Sequence, residues 1–181
     1  TIKKNEEYKK LVSFYLELAQ ESLNSARVLY KVSTDVKAAE YLGASGMQAF
    51  LWVINPAYYS MFYTANAALA SIGVKINSEI GIHKLTFYAF TYYFHINKKI
   101  SAKYVQDFLD EQESAQELLG REEILKEAER KAKELVLSLQ LEREKRRYFT
   151  YELERSRIMV KAKTSLERAN DFFREVSKII K

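Results

Sequence analysis

The stretch Ala57-Tyr58-Tyr59-Ser60-Met61-Phe62-Tyr63-Thr64-Ala65-Asn66-Ala67-Ala68-Leu69 lies inside a run, Tyr41 to Val74, that carries no charged side chain. Within it Tyr58, Phe62, Ala65, Leu69 and Ile72 recur at three- and four-residue steps, the repeat of one helix face. An uncharged run of this length raises the question of a membrane span. Gly43, Gly46, Gln48, Asn55, Pro56, Ser60, Thr64 and Asn66 interrupt it, and it lacks the aliphatic density of an inserted helix. It reads instead as a central helix buried by its neighbours. Asn55-Pro56 marks either a helix start, with Pro at the first helical position, or a kink. Gly73 ends the helix.

The flanking sequence supplies those neighbours. Leu11, Phe14, Leu18, Ser22, Ala26 and Leu29 predict an amphipathic helix over about residues 6–32. Ser33-Thr34-Asp35 breaks it and can cap a second helical region, from about 35 to 72. A loop over about 73–82 precedes a short aromatic helix over about 83–97. Ser101 is a plausible N-cap for a fourth helix running to about 118. Gly120 interrupts, and a highly charged helix covers about 121–145. Ile158, Ala162, Leu166, Ala169, Phe172, Val176 and Ile179 mark a final helix over about 152–180. No strand pattern and no repeat is visible. The expectation is an all-α fold: one domain over 1–181, an antiparallel bundle of about five to six helices, with a charged helical insertion at about 113–145.

Composition narrows the chemistry. The 181 residues include no cysteine, which excludes disulfides and thiolate metal sites and points to a reducing, cytoplasmic setting. Five glycines and one proline argue against all-β folds and Gly-rich phosphate loops. The first ten residues are charged and no short apolar run follows, so no signal peptide is expected. His83 and His95 are the only histidines, and neither follows a Glu at the spacing of a di-iron bundle site. The zinc-binding HExxH, Walker and dinucleotide-binding Gly motifs are absent, as is any nucleophile elbow. No metal and no cofactor is expected. His83 follows the loop and opens a helix, where a capping or hydrogen-bonded role is the ordinary one.

Charge and aromatics are unevenly spread. Residues 111–142 carry five basic and nine acidic side chains, whereas 143–163 carry eight and three, an excess equal to the +5 of the whole chain. Such a run is either a solvated helix face with local ion pairs or a contact for phosphate or an acidic partner. Phe50, Trp52, Tyr58, Tyr59, Phe62 and Tyr63 form one aromatic band, and Phe87, Tyr88, Phe90, Tyr92, Tyr93 and Phe94 another. At helical spacing these read as core or oligomer interface rather than base-stacking platforms.

Three segments carry a resemblance. They are Ala57 to Ala65 with Ala67-Ala68-Leu69, then Ile82-His83-Lys84-Leu85, then Arg143-Glu144-Lys145-Arg146-Arg147-Tyr148 ahead of a helix containing Ala169-x-x-Phe172. Together with Leu23-x-x-Ala26-x-x-Leu29 in the first helix, they resemble the HEPN superfamily, small helical prokaryotic proteins often paired with minimal nucleotidyltransferases. The resemblance covers about residues 10–180, with extra length at about 33–54 and 113–142. It implies an up-and-down four-helix core and a homodimer. Ribonuclease members of the family carry an Arg followed four to six residues later by His near the start of the last helix. The Arg holds phosphate and the His assists proton transfer. Here Arg143, Arg146 and Arg147 are followed by Tyr148-Phe149-Thr150-Tyr151-Glu152-Leu153-Glu154, with no His. Another branch reads Arg-x-x-Ala-Asp-Tyr; this chain keeps Arg143 and Tyr148 at that spacing but has Arg146 and Arg147 between them.

The resemblance therefore implies a non-catalytic or degenerate member. It would be a dimeric interaction module, partnered with a minimal nucleotidyltransferase in a toxin–antitoxin-like pair. A nucleotide or RNA binder using the basic stretch is the alternative. A metal-independent ribonuclease with an altered site is weaker, because tyrosine, with a pKa near 10, is a poor base at neutral pH. The residues expected to meet phosphate or a partner are Arg143, Arg146, Arg147, Tyr148, Tyr151 and His83.

Overall fold

The computed structural model describes residues 2–78, 81–116 and 143–180, with the side chains of 143–155 outside that description. The chain is mostly helical. A 3-10 turn, Glu6–Leu11, leads into α1, Val12–Thr34; then follow α2, Val36–Tyr41, and α3, Phe50–Ser71. Next come α4, Ile82–Phe90, prolonged by a wide π turn over Thr91–Ile96, then α5 over residues 102–116, and α6, Arg143–Ser177. Two short strands, β1 (Ile2–Lys4) and β2 (Val74–Ile76), pair antiparallel with Ile2 opposite Ile76.

The uncharged α3 is the centre, as its composition implies. Ala57, Ala65, Ala67, Ala68 and Ala70 are all fully buried, so the side chains that would hold neighbours away are small. α1 lays Ala19, Leu23 and Ala26 toward the core, and α6 lays Ala162, Ala169, Phe172 and Val176. Both sets are stripes at three-, four- and seven-residue spacing. α1 and α3 run antiparallel. At one end the Tyr30 ring meets Phe50 and the Ala49 amide donates to the Ser33 hydroxyl at 2.8 Å. At the other, the Asn5 amide donates to the Gly73 carbonyl at 2.8 Å. A second aromatic cluster joins the later helices. Phe90, Phe94, Phe108 and Phe172 are all buried, with Phe172 at 5.4 Å from both Phe90 and Phe108, ring centre to ring centre.

Four boundaries differ from the sequence reading. The helical region expected over 35–72 is two helices, because Gly43 and Gly46 both take positive φ, +65° and +77°, and reverse the chain. Pro56 is neither cap nor start, since α3 begins at Phe50 and carries Pro56 in its interior. The loop expected over 73–82 contains β2, whose three residues are too few to display a period. The final helix does not begin near 152: it is continuous from Arg143. Gly120 and the charged segment over 117–142 lie outside the described residues.

Candidate functional site

Of the expected site residues, His83 is the one whose side chain lies among the described residues. It sits in the first turn of α4, two residues after Gly81, whose φ of +69° turns the chain into the helix. Its Nδ1 lies 2.8 Å from the hydroxyl of Tyr58 on α3. The imidazole is tilted over Phe62 at 4.4 Å between ring centres, with Tyr59 edge-on at 5.8 Å. Burial among these rings pushes the His83 pKa down, since the charged imidazolium would be poorly solvated there. Burial, aided by neighbouring Tyr59, pushes the Tyr58 hydroxyl well above its usual value. At neutral pH the pair is therefore a neutral phenol hydrogen-bonded to a neutral imidazole. That ties α3 to α4. Tyr58 is unsuited to take up a proton.

The arginines belong to a different helix. Arg143, Arg146 and Arg147 fall at three- and four-residue steps on α6, with Tyr148 and Tyr151 on the same helix. Their side chains lie outside the described residues, so His83 and the arginines are not brought into one site by any observed contact. Because α6 is continuous through residue 152, no helix start adds its partial positive charge just beyond Arg147.

A charged cluster that the sequence reading missed joins α5 to α6. The Arg168 guanidinium contacts Asp107 at 3.2 Å, Asp110 at 2.8 Å and Glu111 at 3.1 Å. Glu111 is 1% exposed and Asp107 8%, so two of these carboxylates are out of solvent. Burial raises the pKa of both, with Arg168 opposing the rise at Asp107 and Ser165 and Arg168 opposing it at Glu111. One buried oxygen on each, Asp107 Oδ2 and Glu111 Oε2, has no hydrogen-bond partner among the described residues. The one local hint is that Asp107 and Glu111 flank Phe108 on a helix with a buried face, where a carboxylate needs a cation; nothing local names Arg168 as that cation. Lys103, which lies 3.6 Å from Asp171, extends the same antiparallel α5–α6 seam.

Among the described residues no group of three or more His, Asp or Glu is arranged to hold a metal ion, and no helix is long and apolar enough to cross a membrane. The chain matches no family model, no curated protein and no solved structure.

Proposed function

We propose that this chain is a non-catalytic, HEPN-like helical protein that acts as a dimeric interaction module in the cytoplasm, partnered with a minimal nucleotidyltransferase in a toxin–antitoxin-like pair. The HEPN-like reading is supported by a buried α3 carrying Ala57 to Leu69, flanked by α1 and the long α6, and the non-catalytic reading by the absence of His after Arg143, Arg146 and Arg147. The observation that carries the dimer is the segment from α2 into α3. Tyr41 is 90% exposed, and Leu42, Met47, Leu51 and Trp52 are exposed beside it in sequence, with no charged residue from 41 to 52. Large apolar side chains grouped on a surface mark an interface. Most of the uncharged run is buried by the chain's own helices, so the unburied remainder is this segment.

Size-exclusion chromatography with light scattering tests the dimer. The wild type is expected at about twice the 21.2 kDa chain mass, and Tyr41→Ser with Trp52→Ser at the monomer mass with unchanged helicity. A wild-type monomer at micromolar concentration rejects the dimer. A small nucleotidyltransferase encoded beside this chain and co-purifying with it supports the pairing. The second reading, binding of nucleotide or RNA by Arg143, Arg146, Arg147, Tyr148 and Tyr151, rests on the stepwise spacing of the arginines along α6. Changing all three to Gln abolishes salt-sensitive binding if that reading holds.

A further inference from the structure

A groove of about 490 Å³ opens between the amino-terminal strand and the end of α4, lined by Ile2, Tyr88, Tyr92 and Ile96 with Ala89 at its base. Ile96 is 63% exposed, Tyr92 58% and Tyr88 54%, although the same helix buries Phe90 and Phe94 completely on its other side. The groove is thus a second apolar surface, built from different elements than the α2–α3 segment.

Its surroundings are basic. Residues 2–11 and 74–103 together carry nine basic and three acidic side chains, of which Lys9 is paired with Glu6 and Lys103 with Asp171 on α6. Lys4 shares the strand face of Ile2, and Lys3 pairs with Lys75 across the sheet. Lys84 sits 5.7 Å from the Tyr88 ring centre. Lys98 follows Ile96 after Asn97, at the turn where it takes a φ of +57°, and Lys99 beside it sits 5.6 Å from the Phe94 ring centre. Lys3, Lys4, Lys84, Lys98 and Lys99 make no ion pair among the described residues. Cations with no ion pair among the described residues, set around an apolar groove, favour an occupant that is apolar at its centre and negative at its edges.

We propose that this groove docks an acidic peptide segment of a partner protein, with a large apolar side chain seated between Tyr88, Tyr92 and Ile96 and carboxylates facing the lysines. Two other occupants fit worse. A second copy related by a two-fold axis would set the same lysines against each other, because such an interface repeats one patch on both sides. Single-stranded nucleic acid needs open aromatic faces for its bases. Here Lys84 lies over Tyr88, Tyr92 meets Tyr93 at 86° with ring centres 5.1 Å apart, and the remaining walls are Ile2, Ala89, Thr91 and Ile96, with no further ring. The inference does not depend on the dimer: either can fail alone, since they use different residues and different measurements.

The test is selection of displayed random twelve-residue peptides on the purified full chain, followed by fluorescence polarisation with the recovered peptides. Recovered peptides are expected to carry Asp and Glu around Leu, Ile, Phe or Trp. Ile96→Glu should weaken their binding at least tenfold, and Lys98→Glu with Lys99→Glu several-fold with a flatter salt dependence. All these positions are exposed, so the variants should keep the wild-type circular dichroism and melting curve. The proposal is overturned if no peptide is enriched, or if the enriched peptides are basic or uncharged. It is equally overturned if Ile96→Glu binds them as tightly as the wild type. Displacement of bound peptide by a fifteen-nucleotide uridine RNA at equal concentration would assign the surface to nucleic acid instead.

Discussion

Burial among the α3 rings, where it meets the Tyr58 hydroxyl, sets the behaviour of His83. His83 titrates below its ordinary value because burial disfavours its charge. The unfolded chain therefore takes up the proton first as pH falls. The stability that neutral His83 contributes is complete above an unfolded pKa of about 6.5 and is lost as pH drops through and below it. Denaturant titrations at pH 7.5, 6.0 and 5.0 should show the wild type losing stability more steeply than His83→Asn. Equal slopes would show that His83 does not titrate in that window. Tyr58→Phe keeps the ring that packs on Phe62 but removes the hydroxyl, at a cost of about 1 kcal/mol. NMR titration of that variant should still place His83 below its ordinary value, since the cause is burial and not the phenol. That His83 opens a helix and is hydrogen-bonded was readable from its place after the loop. Its partner was not, because a 25-residue separation leaves no local trace.

Between elements, the strongest polar link is the Arg168 cluster of α5 and α6. Arg168→Met leaves Asp107, Asp110 and Glu111 facing one another with only the more distant Lys103 to offset Asp107, and unfolding free energy should fall by about 3 kcal/mol at pH 7. Asp107 and Glu111 have raised pKa values, so the folded state holds their protons more tightly than the unfolded chain. Their contribution favours folding at low pH and is lost as pH rises through the folded values. The variant should accordingly recover part of its loss at pH 5 relative to pH 8, which thermal melts at both values will measure. At the end of α3, Gly73 holds a φ of +73°, and an added Cβ would lie 3.1 Å from the Asn5 carbonyl oxygen. Gly73→Ala should cost about 1–2 kcal/mol, measured by urea unfolding. The sequence announced the helices wherever an apolar stripe repeats, and it announced Gly73 as a terminator. It did not announce where α2 and α3 part, because an uncharged run gives no sided pattern to break. Nor did it announce the Arg168 cluster, whose members are separated by some sixty residues, or the two strands, each three residues long.

For the whole molecule, a helical chain built round an uncharged central helix was legible because burial on all sides excludes charge. The candidate site was legible only in part: residue types at intervals suggested phosphate contacts, but nothing in the interval says which helix faces which. The sequence departs from the ribonuclease pattern at one decisive place, the missing His after the arginines. Purified protein incubated in EDTA with end-labelled RNA should produce no cleavage above the buffer control. Cleavage that disappears on changing Arg143 or Arg147 would show that another group moves the proton. The pairing of Ile2–Lys4 with Val74–Ile76 has a consequence for the order of events in folding. The two strands are about seventy residues apart in sequence, so the sheet can close only after α1 and α3 have brought their ends together. It is then the last element to form and the first to open. Amides of β1 and β2 should exchange with deuterium through a small local opening, while those of α3 wait for the whole chain to unfold.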